Sequence, residues 1–312
     1  MDGSILKYIS DAVTADGILP ADFSLPKPAD GKKAMFADGA ADGIQIYHMG
    51  FPVMEEKENT EILELLKTAN NGDFDKAAEG FSKFCEKFPA IVMIDEVQNA
   101  ILDNRDGMSV NVMVRFAKGL IRDSNDRELI KVGLIILELV NTSNDPDLMK
   151  DIRTLGLSDE FTIFTVFIMR HWPDGQMEIL DLAKKVRGWG RIHCVKFIEP
   201  ENDEIAHWLL VNGIDNDILR EYSALTVYEK TGIWELLDRT DLRDEEVRGI
   251  LRVIGSMFPE GPVQGISAVE DPPGLLRKVL ALADRIVPDE EEKKVIEAVS
   301  DLKKRFDETG IG

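Results

Sequence analysis

Apolar side chains recur with a helical period along most of the chain, and the clearest run lies between Met177 and Gly213. Ile179, Leu182, Ala183 and Val186 stand at i, i+3, i+4 and i+7, which is one apolar face of a helix. Gly188-Trp189-Gly190 interrupts that face, Arg191 to Ile198 predicts a second helix, and Glu199-Pro200-Glu201-Asn202-Asp203 ends it. Ile205, Trp208 and Leu209 then restart the spacing as far as Gly213, which places Trp208 in the core. The unit is a helix, a glycine turn and a helix.

The same alternation extends through DLMKDIRTLGLSDEFTIFTVFIM, EIAHWLLVNGIDNDILREYSALTVY and IWELLDRTDLRDEEVRGILRVIGSMF, so Asp147 to Phe258 reads as degenerate repeats. Their turn glycines drift in spacing, with 32 residues from Gly156 to Gly188 and 25 from Gly188 to Gly213. Upstream, helices are predicted near 60–70, 74–88, 90–103, 109–122 and 126–140. Asp73, Ser109 and Asn125 or Asp126 are the N-caps, and Pro89 opens its helix. Val132 to Val140 and Phe161 to Met169 are apolar nearly all round, as helices covered on several sides must be. After a Pro- and Gly-rich surface loop from Pro259 to Gly274, Leu275 to Ile286 and Asp289 to Glu308 predict two closing helices. The second carries Val295, Val299, Leu302 and Phe306 on one stripe.

Residues 1–57 differ. After an amphipathic start at Ile5 to Val13, Ala-Asp-Gly occurs four times, at Asp16, Asp30, Asp38 and Asp42, among Pro20, Pro26, Pro28 and Pro52. This is turn chemistry. Between Met35 and Met54, alternation of Ile44, Ile46 and His48 with Gln45, Tyr47 and Met49 suggests a small β-hairpin, the alternative being an irregular arm packed along the helices. The expected organisation is an N-terminal arm over 1–57 and an α-helical repeat domain over 58–312.

Gly190-Arg191-Ile192-His193-Cys194-Val195-Lys196-Phe197-Ile198 resembles the inner helix of HEAT and armadillo repeats, and the resemblance spans roughly residues 109–258. Thr154-Leu155-Gly156-Leu157 followed by Gly188-Trp189-Gly190-Arg191 also looks like a set of uncharacterised bacterial helical-repeat proteins. The resemblance implies an all-α fold, a right-handed α-α superhelix or HEAT/armadillo-like solenoid, whose curved surface binds other macromolecules.

Charge narrows the partners. The net charge is −21 and 44% of residues are apolar, which excludes disorder and opposes both nucleic-acid backbones and anionic membranes. Cys85 and Cys194 lie far apart with no CxxC, so no disulfide framework is indicated and a reducing, cytoplasmic setting fits. Acidic residues occupy the N-terminus where a signal peptide needs basic ones, and the apolar runs reach only about half a membrane span.

No complete catalytic or metal-binding pattern occurs in the sequence. Glu204 and His207 make one carboxylate–imidazole pair at i and i+3, without the second copy a di-iron bundle needs, so His207 reads as a boundary histidine. His193 and Cys194 are adjacent and point about 100° apart on a helix. His171 closes a helix whose dipole favours it. No nucleophile elbow, phosphate loop or calcium loop is present, and neither a cofactor nor a metal is expected.

One basic island breaks the acidic field: Lys184, Lys185, Arg187, Arg191 and Lys196, with His193, around Trp189. Arginines and a tryptophan at a glycine turn can clamp a carboxylate, so Arg187, Trp189, Arg191, Lys184 and His193 are the candidate binding residues, for a protein partner or acidic peptide. Alternatively these are solvated lysines, a tryptophan covering its helix pair and an internally paired Arg191. The leading function is therefore a helical-repeat interaction protein. The alternative is an enzyme of unidentified class with its site on the concave face of the repeats.

Overall fold

A computed structural model of the chain describes residues 3–26 and 36–309. Every regular element among them is helical, and no strand or sheet occurs. Two compact units emerge, Met1–Cys194 and Val195–Gly312, the division falling within a helix.

The first unit opens with α1 (Ile5–Ala12), whose N-cap is Ser4 and which buries Ile5 and Ile9. A short α2 (Ala40–Ile44) continues directly into a π-helical turn (Gln45–Met49). Then follow α3 (Glu56–Asn70), α4 (Phe74–Cys85), α5 (Ile94–Asp103), α6 (Val110–Asp123) and α7 (Arg127–Glu138). The remaining helices are α8 (Pro146–Gly156), α9 (Thr162–Met169), α10 (Gly175–Lys185) and α11 (Gly188–Phe197), which runs across the division.

Helix α7 is the axis of this unit, packing against α4, α5, α6 and α9. Leu129 to Leu137 are all buried on it, and each fully buried leucine or isoleucine contributes roughly 1.5–3 kcal/mol. Helix α9 is buried at every position except Phe167. Its threonines satisfy their hydroxyls on the backbone: Thr162 Oγ1 donates to the carbonyls of Gly156 and Ser158, and Thr165 Oγ1 to that of Thr162. These are the two helices whose all-round apolarity predicted cover on several sides.

The structure departs from the sequence pattern in three places. The stretch 90–103 is not one helix: Pro89 precedes a 3-10 turn (Ala90–Val92), Met93 leaves helical geometry at φ −121°, and α5 starts at Ile94. Of the expected caps, Asp126 accepts from Glu128 N–H at 2.9 Å, whereas Asp73 and Ser109 occupy cap positions without a side-chain bond. No hairpin forms between residues 36 and 54. Ala40 to Met49 is helical, because helical spacing places Gly39, Gly43 and Tyr47 on one side, against the body of the unit. Met35, Asp30 and Pro28 lie outside the described residues.

The second unit contains α12 (Asp203–Asn212), α13 (Glu221–Thr231), α14 (Ile233–Leu236), α15 (Asp244–Ser256), α16 (Pro272–Ala283) and α17 (Glu290–Thr309). Helix α15 is its centre, in contact with α12, α13, α16 and α17. Val299 is fully buried on the stripe of α17, flanked by half-buried Val295, Leu302 and Phe306. The Pro259–Gly274 connection is tacked down by buried Ile266 and Val269. Trp208 is half-buried rather than core: Ile205 and Leu209 take the interior positions of α12, and the tryptophan sits at their edge.

Candidate functional site

The densest chemistry lies in the first unit, where residues 38–49 meet α7, the turn before α9 and the start of α11. Lys131 is 1% exposed in the middle of an apolar helix, and an ammonium buried there requires carboxylates around it. Three supply them. Its Nζ lies 2.8 Å from Asp42 Oδ2, 2.9 Å from Glu128 Oε1 and 2.7 Å from Glu160 Oε1. The other oxygen of Glu128 accepts from Ala90 N–H at 2.6 Å, so the 3-10 turn after Pro89 joins the same network.

One turn earlier on α7, Arg127 reaches Asp38 Oδ1 at 2.9 Å and Glu160 Oε2 at 3.2 Å, while its second nitrogen donates to the carbonyls of Leu25 and Pro26. Leu25 N–H donates to Asp38, and Gly39 N–H to Glu160 at 3.0 Å. Two of the four Ala-Asp-Gly triplets thus place their aspartates on successive cations of one helix. Neither aspartate serves only as turn chemistry.

The glycines of those triplets are equally constrained. A β-carbon at Gly43 would stand 2.5 Å from two ring carbons of Trp189, and one at Gly39 2.5 Å from the carbonyl oxygen of Asp159. Beyond Gly43, Tyr47 lies over the same aromatic face, its ring centroid 5.9 Å from Trp189 and 6.4 Å from His193. Asp159 completes the junction, its carboxylate accepting from the backbone N–H groups of Trp189 and Gly190 at the start of α11. Gly188 and Gly190 make room for that carboxylate, since a β-carbon at either would collide with it. The Gly-Trp-Gly sequence therefore starts a helix instead of interrupting one.

Five carboxylates (Asp38, Asp42, Glu128, Asp159, Glu160) gather here with the cations Arg127 and Lys131 and, near Cys194, Arg191. Burial raises Asp42 to about 7 against the pull of Lys131, with Glu128 and Glu160 adding repulsion. Asp159 is likewise raised to about 7, by burial first and then by Asp38 and Glu160. Asp38 is raised by burial, while Glu160 is held below the usual range because Lys131, Gly39 N–H and Arg127 outweigh its own desolvation. Lys131 stays charged, its affinity for the proton pushed well up by Asp42, Glu128 and Glu160.

The basic island takes a different form from the one expected. Trp189 is 5% exposed and His193 1%, both covered by the α2–π segment, so neither offers a flat external contact. Burial lowers His193 to about 3 and keeps it neutral; its Nε2 has no hydrogen-bond partner among the described residues. Cys194 is buried and its thiol is pushed up. Arg191 is half-buried and donates through Nε to the Val186 carbonyl at 3.0 Å, while Lys184 and Arg187 stand exposed. His207 sits at a boundary, its Nδ1 2.7 Å from Arg243, with Glu245 and Glu246 each at 3.5 Å.

The basic island marks α11 but not the segment that covers it. Two signals pointed there: a lysine inside the apolar run Leu129-Ile130-Lys131-Val132, and the four-residue spacing of Gly39, Gly43 and Tyr47.

Outside this junction, the described residues of the second unit form a cavity of about 400 Å³ whose lining includes Arg220, Arg252, Glu221 and Glu291. Both arginines turn to Asp215, and Arg220 also to Glu291. No group of three or more His, Cys, Asp or Glu among the described residues is arranged to hold a metal ion, and no helix is long and apolar enough to cross a membrane.

Directly beyond the π turn the surface changes character. Met49 (71% exposed), Phe51 (56%) and Val53 (94%) are presented to solvent between docked α2 and buried Met54. The Gln45 side-chain amide donates to the Gly50 carbonyl and closes the turn, and Pro52 disfavours helical geometry at Phe51, which lies outside the helices. No family model, curated protein or solved structure matches this chain.

Proposed function

We propose that the chain is an interaction protein, a helical-repeat body that presents Met49 to Val53 to an apolar groove on another protein. One observation carries the reading. Three of the eleven exposed large hydrophobic residues among those described, Met49, Phe51 and Val53, lie within five residues, and the two ends of 49–53 are tied down by the buried junction and by Met54. Exposed apolar side chains on a constrained segment suit association, because little conformational entropy remains to be lost on binding.

The partner's chemistry follows from charge. Glu55 and Glu56 are exposed beside the stretch and the whole chain carries −21, which favours a groove rimmed by lysine and arginine and disfavours a second copy of this chain. The body is a HEAT/armadillo-like solenoid in this reading, supported within each unit by pairing of consecutive helices: α3 with α4, α6 with α7, α8 with α9, α12 with α13 and α16 with α17. A second reading, an acidic peptide held by Lys184 and Arg187, is favoured by the exposure of both side chains.

Affinity capture from the native host separates the two. Phe51→Asp/Val53→Asp abolishes recovery of a partner with a basic-rimmed apolar groove, and Lys184→Glu/Arg187→Glu leaves it unchanged. The converse result supports the acidic peptide, and recovery unaffected by either pair defeats both readings.

A further inference from the structure

We propose that residues 36–49 form a proton-gated latch, docked on α7, the 157–161 turn and α11 in acid and loosened as pH rises, so that presentation of Met49 to Val53 is pH-dependent. For its consequence alone, this rests on the reading of Met49 to Val53 as the docking stretch; the latch itself does not depend on it.

The geometry is that of an interface closed by charge. On the latch side stand Asp38 and Asp42; facing them are Arg127, Glu128 and Lys131 from α7, Asp159 and Glu160 from the turn, and Trp189, Arg191 and His193 from α11, with Cys194 near Asp159. Buried Asp42 and Glu160 outnumber buried Lys131, and the apolar contacts include Gly43 and Tyr47 against Trp189 and His193. Excess negative charge in a dry interface is relieved either by taking up protons or by letting water in, and the latch is the element that can move away.

The sign is fixed by linkage. Asp42 and Asp159 have docked-state values of about 7, above the ordinary carboxylate value that each regains when solvated. A raised value stabilises docking fully at acid pH, and that contribution is lost as pH rises through about 7. Glu160 works in the opposite sense, its contribution lost only in acid below the usual glutamate range, and Lys131 loses its charge only far above neutrality. Asp38, raised by burial, acts in the same sense as Asp42 and Asp159, and these last two have values that fall between pH 6 and 8. Each changes the docking equilibrium about tenfold across that interval.

Backbone amide exchange of the full chain at pH 6 and pH 8, corrected for the chemical exchange rate, reads this directly. Amides of residues 38–49 are expected to lose about ten- to hundredfold in protection at pH 8 and to be less protected than α7 and α9 amides at both values, because the latch opens without global unfolding. Asp42→Asn/Asp159→Asn, whose amides mimic protonated acids, should hold the pH 6 protection at both values. Equal protection of wild-type 38–49 at the two pH values overturns the latch, as does protection of 38–49 that matches that of α7 and α9 at both. A pH response that survives in the folded double variant also overturns it. No partner enters the measurement, so the latch and the interaction reading fail separately.

Discussion

Gly43→Ala is the smallest perturbation that tests how the N-terminal segment is seated. A methyl group at this position meets Trp189, with two ring carbons at 2.5 Å and Cε3 nearer still, against an ordinary carbon–carbon separation of about 3.5–4.0 Å. The helix must therefore retreat by about 1 Å or the indole must turn, and the indole is 5% exposed with Tyr47 and His193 over it. Retreat also stretches the 2.8 Å contact between Asp42 and Lys131. Overpacking of this kind costs about 1–3 kcal/mol, only slightly offset by the better helix propensity of alanine. Gly119→Ala is the control: it sits inside α6 with open space around a new β-carbon and should stabilise by about 0.5–1 kcal/mol. Urea titration followed by circular dichroism reports the global loss, and amide exchange over 38–49 reports local release. If Gly43→Ala leaves both within error of wild type, the segment is not packed on Trp189 and the junction described above is wrong.

Lys131→Met removes the ammonium from among Asp42, Glu128 and Glu160 and should destabilise by about 3–5 kcal/mol in denaturant titration, as loss of one member of a buried ion cluster does; a loss under 1 kcal/mol would contradict its role. Global stability should form a dome in pH, falling in acid as Glu160 protonates below its usual range, and falling again as Asp42 and Asp159 ionise near 7. The alkaline limb has a slope of at most about 1.4 kcal/mol per pH unit for each carboxyl, and midpoints that rise steadily from pH 5 to 8 would refute the assignment. Trp208→Ala should cost about 1–2 kcal/mol in the same assay, less than the 3–5 kcal/mol of a fully buried tryptophan, because its side chain is only half covered.

Helical periodicity carried the all-α fold and the two most buried helices, because a stripe of leucines and isoleucines at 3.6 spacing has few alternatives. Residues 36–54 resisted such reading. Ile44, Ile46 and His48 alternate like a strand, yet the positions that matter are Gly39, Asp42, Gly43 and Tyr47, each defined by a partner more than eighty residues away in sequence. Local pattern cannot register such partners. The basic island shows the same limit: composition located α11, but whether Trp189 faced solvent depended on a segment more than a hundred residues upstream. Trp208 illustrates a finer one, since spacing assigns a face but not how deeply an edge residue is covered.

The central claim is that Met49 to Val53 is the surface through which this protein meets another, and a photo-reactive phenylalanine analogue at position 51 tests it most directly. With cross-linking in the native host and mapping of the adduct, the account predicts attachment to a different protein, at an apolar site bordered by lysine and arginine. The same analogue at exposed Val110 should give no such adduct. No adduct from position 51, an adduct with a second copy of this chain, or equal yield from position 110 would contradict the account.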